Sequence, residues 1–280
     1  MSKRIEHREF DEERALYGSE DLIVEHCSFD GPADGESAFK ESKNITVAHS
    51  YFNLRYPFWH DTGLSLSHIQ MTELCRAALW YSDKIDIAHS TLHGIKALRE
   101  CHDIRIAHSD IVSAEFGWSS TDASLSHTTA SGEYFFLRGE RLSFEHVNFK
   151  GKYSFQYITD STFEYCNFDT KDAFWHAKNV TVRNSTVKGE YLAWYSDGLT
   201  LDHCTIIGTQ PLCYCKNLRL IDCEMIDCDL SFERSEVEAT LVAPIDSIKN
   251  PRAGHITVPA VGEIISDDPE AHGTVTVKGA

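Results

Sequence analysis

One short phrase keeps returning along this chain: ITVAHS at 45–50, KIDIAHS at 84–90 and DIRIAHS at 103–109. Aligned on the residue before the apolar pair, consecutive units read DLIVEHCSF, NITVAHSYF, GLSLSHIQM, KIDIAHSTL, DIRIAHSDI, DASLSHTTA, RLSFEHVNF, DSTFEYCNF, NVTVRNSTV, GLTLDHCTI and NLRLIDCEM, eleven units over residues 21–235. The steps between their fourth positions, from Val24 to Leu220, are 23, 19 and 21, then 19 seven times, so two units carry insertions. A unit this short cannot bury a core alone and must stack on its neighbours.

Numbering each unit from slot one, apolar residues fall at slots two, four and nine with polar ones between, the period of a half-buried strand. No unit holds a 10-residue amphipathic helix. The period therefore predicts an all-β fold, a parallel β-helix of about eleven to twelve coils stacked at about 4.8 Å, in which equivalent side chains form ladders. RALYGS at 14–19 matches slots thirteen to eighteen of a preceding partial coil. The chain is expected to be one domain, 1–280: an N-terminal cap and partial coil over 1–20, eleven coils over 21–235, and closing strands and a cap over 236–280, where Pro and Gly punctuate the sequence.

The repeated pattern (N/D)-(L/I/V)-x-(L/I/V)-x-(H/N/D)-(C/S)-x-(F/I/L) resembles the right-handed parallel β-helix of the pectate-lyase-like (pectin lyase fold) superfamily. More narrowly, ERALYGSEDL (13–22), GESAFKES (35–42), YPFWH (56–60), KDAFWH (171–176), GEYLAWYSDGLTL (189–201) and PLCYCKNL (211–218) resemble an uncharacterised bacterial family known only as a domain of unknown function. The first resemblance implies right-handed coiling, and the second implies no reaction.

Alternation breaks between slots four and seven, which puts slot six at a corner. It holds His26, His49, His68, His89, His108, His127, His146, Tyr165, Asn184, His203 and Asp222. The resemblance implies an asparagine ladder at such a bend, and here imidazoles stand in its place. A ladder spreads its members along the axis, whereas a zinc site needs three or four ligands converging at about 2.1 Å, so no metal or other cofactor is expected. Cys27, Cys166, Cys204 and Cys223 at slot seven, and Cys101 and Cys215 at slot eighteen, share their columns with serines and read as small inward fillers.

Nine cysteines in a chain with no apolar leader suit a reducing, cytoplasmic setting. A net charge of −17 with scattered basic residues repels phosphate backbones, so nucleic acid is not an expected partner. No window approaches the roughly 18 apolar residues of a spanning helix, and no membrane partner is expected.

The second half of each coil carries the aromatic residues. Slot sixteen contains all five tryptophans, Trp59, Trp80, Trp118, Trp175 and Trp194, while slot fifteen contains Phe39, Phe58, Phe136, Phe155 and Phe174. Adjacent residues of a strand point to opposite faces. Charged residues at slots thirteen and seventeen (Lys96, Glu100, Glu115, Arg138, Asp172) favour solvent exposure for the odd slots, with slots fourteen, sixteen and eighteen filling the core. The expected outer face then presents Tyr56, Phe58, Tyr81, Tyr134, Phe136, Tyr153, Phe155, Tyr157, Phe174, Tyr191 and Tyr195 as a ligand-binding stripe, with His60, Glu100, Arg138 and His176 as titratable candidates for catalysis and Asp61 beside them. Such a stripe suits an oligosaccharide or a second copy of the chain as a homodimer. Three functions stay open: carbohydrate binding or scaffolding, a carbohydrate-active lyase, hydrolase or epimerase, and self-association. Neither a close acidic pair nor a base with calcium-binding aspartates is recognisable as a motif.

Overall fold

A computed structural model describes residues 3–31 and 36–278. They are strands and turns without a helix, and form about 14 turns of a parallel β-solenoid at the 19-residue spacing. The four-residue insertion after Phe29 falls at 32–35, outside the described residues. Two compact units divide the chain, Met1–Ser143 and Phe144–Ala280.

The coil count exceeds the sequence reading at both ends. Lys3–Glu6 pairs in parallel with Glu20–Glu25, so a full coil precedes residue 21 and brings His7 into slot six. Past Ser235 the stack continues through Glu236–Leu241, Ala253–Val258 and Thr274–Val277, each parallel to the last. These closing coils change the spacing and lack the IAHS phrase, which hides them from a search for the repeat.

In the first unit the coils from Glu20 onward have a six-residue strand over slots nineteen to five and a short one from slot eight, as in Asp83–Ala88 and Thr91–His93. Register holds slot to slot: Ile85 lies against Leu64 and Ile104, Ile87 against Leu66 and Ile106. Slots two, four and nine are buried, and Phe10, Phe29 and Phe52 stack at 4.7 Å. The second unit repeats this with Val180, Val182, Leu199, Leu201, Phe168 and Val187 in its core.

Left-handed backbone makes the corners. Slot six has φ between 47° and 52° at His7, His26, His49, His68, His89, His108 and His127. His, Asn and Asp enter this region more readily than other side chains. This accounts for Asn184 and Asp222 at the same slot in the second unit, with φ 48° at both. Buried serines tie the inner side of the bend. Ser90 Oγ accepts from the Ile69 N–H at 3.1 Å and donates to the Ala88 carbonyl at 2.8 Å. All nine cysteines are free and buried, and those of slots seven and eighteen lie in these columns.

The expected parity of slots thirteen to eighteen is corrected. Phe58, Phe136, Phe155 and Phe174 are fully buried, at 0–1% exposure, and do not face solvent. The physical reason is that this stretch is not pleated strand. Left-handed φ recurs at slots thirteen, fifteen and seventeen, as at Tyr153 (58°), Phe155 (58°) and Tyr157 (59°). Adjacent side chains in such a backbone need not alternate. Slots fourteen and fifteen both turn inward, slot sixteen lies half-buried, and slot seventeen points out. Gly117 occupies slot fifteen in its coil because any Cβ there would come within 2.7 Å of the Phe136 ring.

This geometry separates neighbouring aromatic residues energetically. Phe155→Ala should cost about 3–5 kcal/mol as a core cavity, whereas Tyr157→Ala should cost about 1 kcal/mol, the difference being read from urea unfolding of the two variants.

Candidate functional site

The outward half of the predicted stripe survives as ladders of tyrosine, histidine and tryptophan. In the second unit Tyr157, His176, Tyr195 and Tyr214 stack at successive slots seventeen, with ring centroids 4.8, 5.1 and 4.9 Å apart and planes within 12° of parallel. Beside them Trp175 and Trp194 stack at 5.5 Å, and Tyr191 meets Trp194 at 5.3 Å under the Lys171 ammonium. Tyr153 is half-buried beneath the Lys152 ammonium. In the first unit Tyr56 leans on Trp59, His60 stacks on Tyr81 at 5.0 Å, and Tyr134 meets Trp118 edge-on.

The tryptophans are anchored rather than free. Each indole N–H donates to the slot-thirteen carbonyl of the next coil: Trp59 to Ala77, Trp80 to Lys96, Trp118 to Tyr134, Trp175 to Tyr191 and Trp194 to Gln210, at 2.6–2.8 Å. Gln156, in the same slot, makes the same bond to Asp172 through its amide at 2.9 Å. Arg99 fills the slot differently, its guanidinium lying 5.1 Å from the Trp80 ring and 5.4 Å from the Trp118 ring. At those distances the cation is attracted to both ring faces.

Stacking decides what such a column can offer. Inside it both faces of a ring are covered by its neighbours, so His176 and Tyr195 (47% exposed) show solvent mainly their edges, while Tyr157, the first ring, is stacked on one face by His176. A sugar laid face-on needs a free aromatic face, and the column interior does not provide one. Its last ring, Tyr214, lines a pocket of about 210 Å³ with Lys216, Arg234, Asn250, Arg252, Asp268 and Glu270. Arg234 Nε donates to Asp268 at 2.8 Å, and Asn250 Oδ1 accepts from the Asp267 and Asp268 N–H groups. The Glu270 N–H and the Arg234 guanidinium hold the Asp268 carboxyl below its usual range. Sequence reading misses this pocket because 236–280 reads as a cap, and only the acidic DDPE turn at 267–270 marks it.

Within the first unit the candidate catalytic residues His60, Glu100 and Arg138 lie at slot seventeen of coils two apart. His176 is sandwiched between Tyr157 and Tyr195, and His60 is engaged with Tyr81. Glu100 Oε1 accepts from its neighbour Arg99 at 3.4 Å, and Arg138 stands exposed two coils further along. Among the described residues no group of three or more His, Cys, Asp or Glu is arranged to hold a metal ion.

A family model described as "Protein of unknown function (DUF3737)" matches residues 3–277. The chain belongs to this family. No curated protein matches it.

Asp61 is the one buried carboxyl in the serine column of slot eighteen. There Ser82 Oγ accepts from the Asp61 N–H and donates to the Phe58 carbonyl, at 3.0 and 3.1 Å. Asp61 Oδ1 accepts from the Ser42 N–H at 2.7 Å, but Oδ2 is buried without a partner. Burial pushes its carboxyl up to about 8. It is therefore protonated at neutral pH and stands in for a serine. The folded value lies above the ordinary 3.8. Stability from this group is complete below about pH 4 and is lost as pH rises towards 8. Asp61→Ser, which restores the residue used at Ser42 and Ser82, should remove roughly 3–5 kcal/mol of the stability loss between pH 5 and pH 9, seen as a flatter profile of melting temperature against pH.

Proposed function

We propose that this protein is a non-catalytic binding module that holds the end of an oligosaccharide in the Tyr214 pocket, with the ring edges of the adjoining column as a hydrogen-bonding strip. The observation that carries this reading is the pocket itself, where the last ring of a stacked column meets three cations, three carboxylates and an amide. Charged and amide side chains supply donors and acceptors in both directions, which suits a polyhydroxylated neutral ligand. At about 210 Å³ the pocket is small. Drug-sized sites run to roughly 300–1,000 Å³, so the volume favours one sugar residue at a chain end over a threaded polymer. The tyrosine hydroxyls and the His176 edge recur beside it at the spacing of the coils.

Chemistry has less support. His60, Glu100 and Arg138 stand on separate coils of the first unit and His176 between two tyrosine rings, which gives little support to an acid and base acting on one bond. A reducing, cytoplasmic setting goes with the proposal and is supported by nine free cysteines.

A glycan array probed with the purified protein should return a hit, and Tyr214→Ala or Arg252→Ala should weaken it at least tenfold while Tyr81→Ala leaves it unchanged. A blank array together with a dimer by light scattering that Tyr157→Ala with Tyr195→Ala converts to monomer would replace this reading with self-association through the column.

A further inference from the structure

The histidine corner of the first unit is a second, separate surface. His7, His26, His49, His68, His89, His108 and His127 form an unbroken stack with centroids 4.6–5.1 Å apart, every ring exposed. Shallow grooves of about 560 and 480 Å³ run along it, one from His7 to His68 and one from His89 to His127.

Backbone geometry alone does not call for imidazole. Slot one of the same coils is equally left-handed and uses Asp21, Asn44, Gly63, Lys84, Asp103 and Asp122. Nor does the protein set carboxylates at slot five beside the middle rungs, His49 to His108. In the second unit the histidines sit by carboxylates: His146 lies 3.7 Å from Glu145 and His203 2.6 Å from Asp202. In the first unit slot five is alanine or serine from Ala48 to Ser126, although the chain carries −17. The charged groups beside the column are Arg8 and Glu9 in its groove and Glu6 and Glu25 at slot five, all at its N-terminal end, and Asp110, which His93 engages at 2.7 Å. Glu25 is bonded to Arg4. Among the described residues, His49, His68, His89 and His108 have no hydrogen-bond partner for their ring nitrogens.

Imidazoles take up protons between pH 8 and 5, and neighbouring rings at this spacing then repel one another unless an outside anion lies across them. Each protonated ring offers only N–H donors. The adjoining slot-eight column adds the hydroxyls of Ser28, Tyr51 and Thr129 and the amide of Gln70. The matching ligand is a chain of acceptors with a negative charge on every link. Side chains on one face of an extended peptide recur at about 6.6 Å, out of step with the rungs. A nucleic-acid strand carries a base with every phosphate and needs platforms for those bases. The imidazoles cover one another's faces, so for those bases the grooves have one further ring, Tyr51. A flexible polyphosphate has no such bulk and can bring an oxyanion to each rung.

We propose that the histidine column of residues 7–127 is a proton-gated docking surface for linear inorganic polyphosphate. Titration calorimetry of the full-length protein at pH 5.5 and 7.5, at fixed ionic strength, tests it with long-chain polyphosphate, orthophosphate, single-stranded DNA and polygalacturonate as probes. Polyphosphate should bind at pH 5.5 with a Kd at least tenfold below that at pH 7.5 and with net proton uptake, read from the dependence of the heat on buffer. His68→Asn, His89→Asn and His108→Asn combined, placing at three corners the residue found at Asn184, should abolish that pH dependence. Binding by orthophosphate, DNA or polygalacturonate as tight per charge as that of polyphosphate would overturn the proposal, as would a pH dependence retained in the triple variant. Should the variant melt early, the wild-type calorimetry decides alone, since binding without proton uptake removes the gate.

Discussion

Parallel hydrogen bonding from coil to coil is the constraint on which everything else here depends. It fixes the distance between successive turns and places each side chain against its counterpart in the next repeat. A residue type tolerated once is thus tested against itself many times. Rings stack on rings, serines relay hydrogen bonds to serines, and a lone departure such as Asp61 is conspicuous because its column states what the position needs. The same constraint limits function: stacking that stabilises an aromatic column covers the faces through which it could have gripped a ligand.

The corners show how backbone and side chain divide the work. Left-handed φ at slots one and six turns the chain, and either corner accepts small polar residues for that purpose. Imidazole at slot six of the first unit goes beyond what turning requires. Alanine or serine at slot five beside its middle rungs makes that column chemically unlike the slot-six residues of the second unit, His146, Tyr165, Asn184, His203 and Asp222. The Tyr214 pocket has a different origin. It arises where the regular column runs out and closing coils of altered spacing bring Arg234, Asn250, Arg252 and Asp268 around the last ring.

The solenoid is legible in the sequence because its repeat is short and its apolar period simple: slots two, four and nine are buried as the pattern of Leu, Ile, Val and Phe implies. Slots thirteen to eighteen mislead because pleated alternation does not hold where every second residue is left-handed, so Phe58, Phe136, Phe155 and Phe174 are assigned to solvent. Arg99 and Gln156 among the tryptophans are the available clue, since neither belongs in a core. Tyr81, Tyr157 and Tyr195 fall on the correct side, while Arg252 and Asn250 carry no signal, because a pocket made by the end of a repeat has no period to reveal it.

The pairing of Trp175 with Trp194 carries a consequence of a different kind. Two indoles held 5.5 Å apart with planes only 4° from parallel, each pinned by its N–H to the neighbouring coil, are a fixed pair of interacting chromophores. Their electronic transitions couple in a way that isolated indoles do not, and the coupling vanishes once the two coils slide or separate. The second unit thereby contains an optical gauge of its own stacking distance, readable in near-ultraviolet circular dichroism without any label.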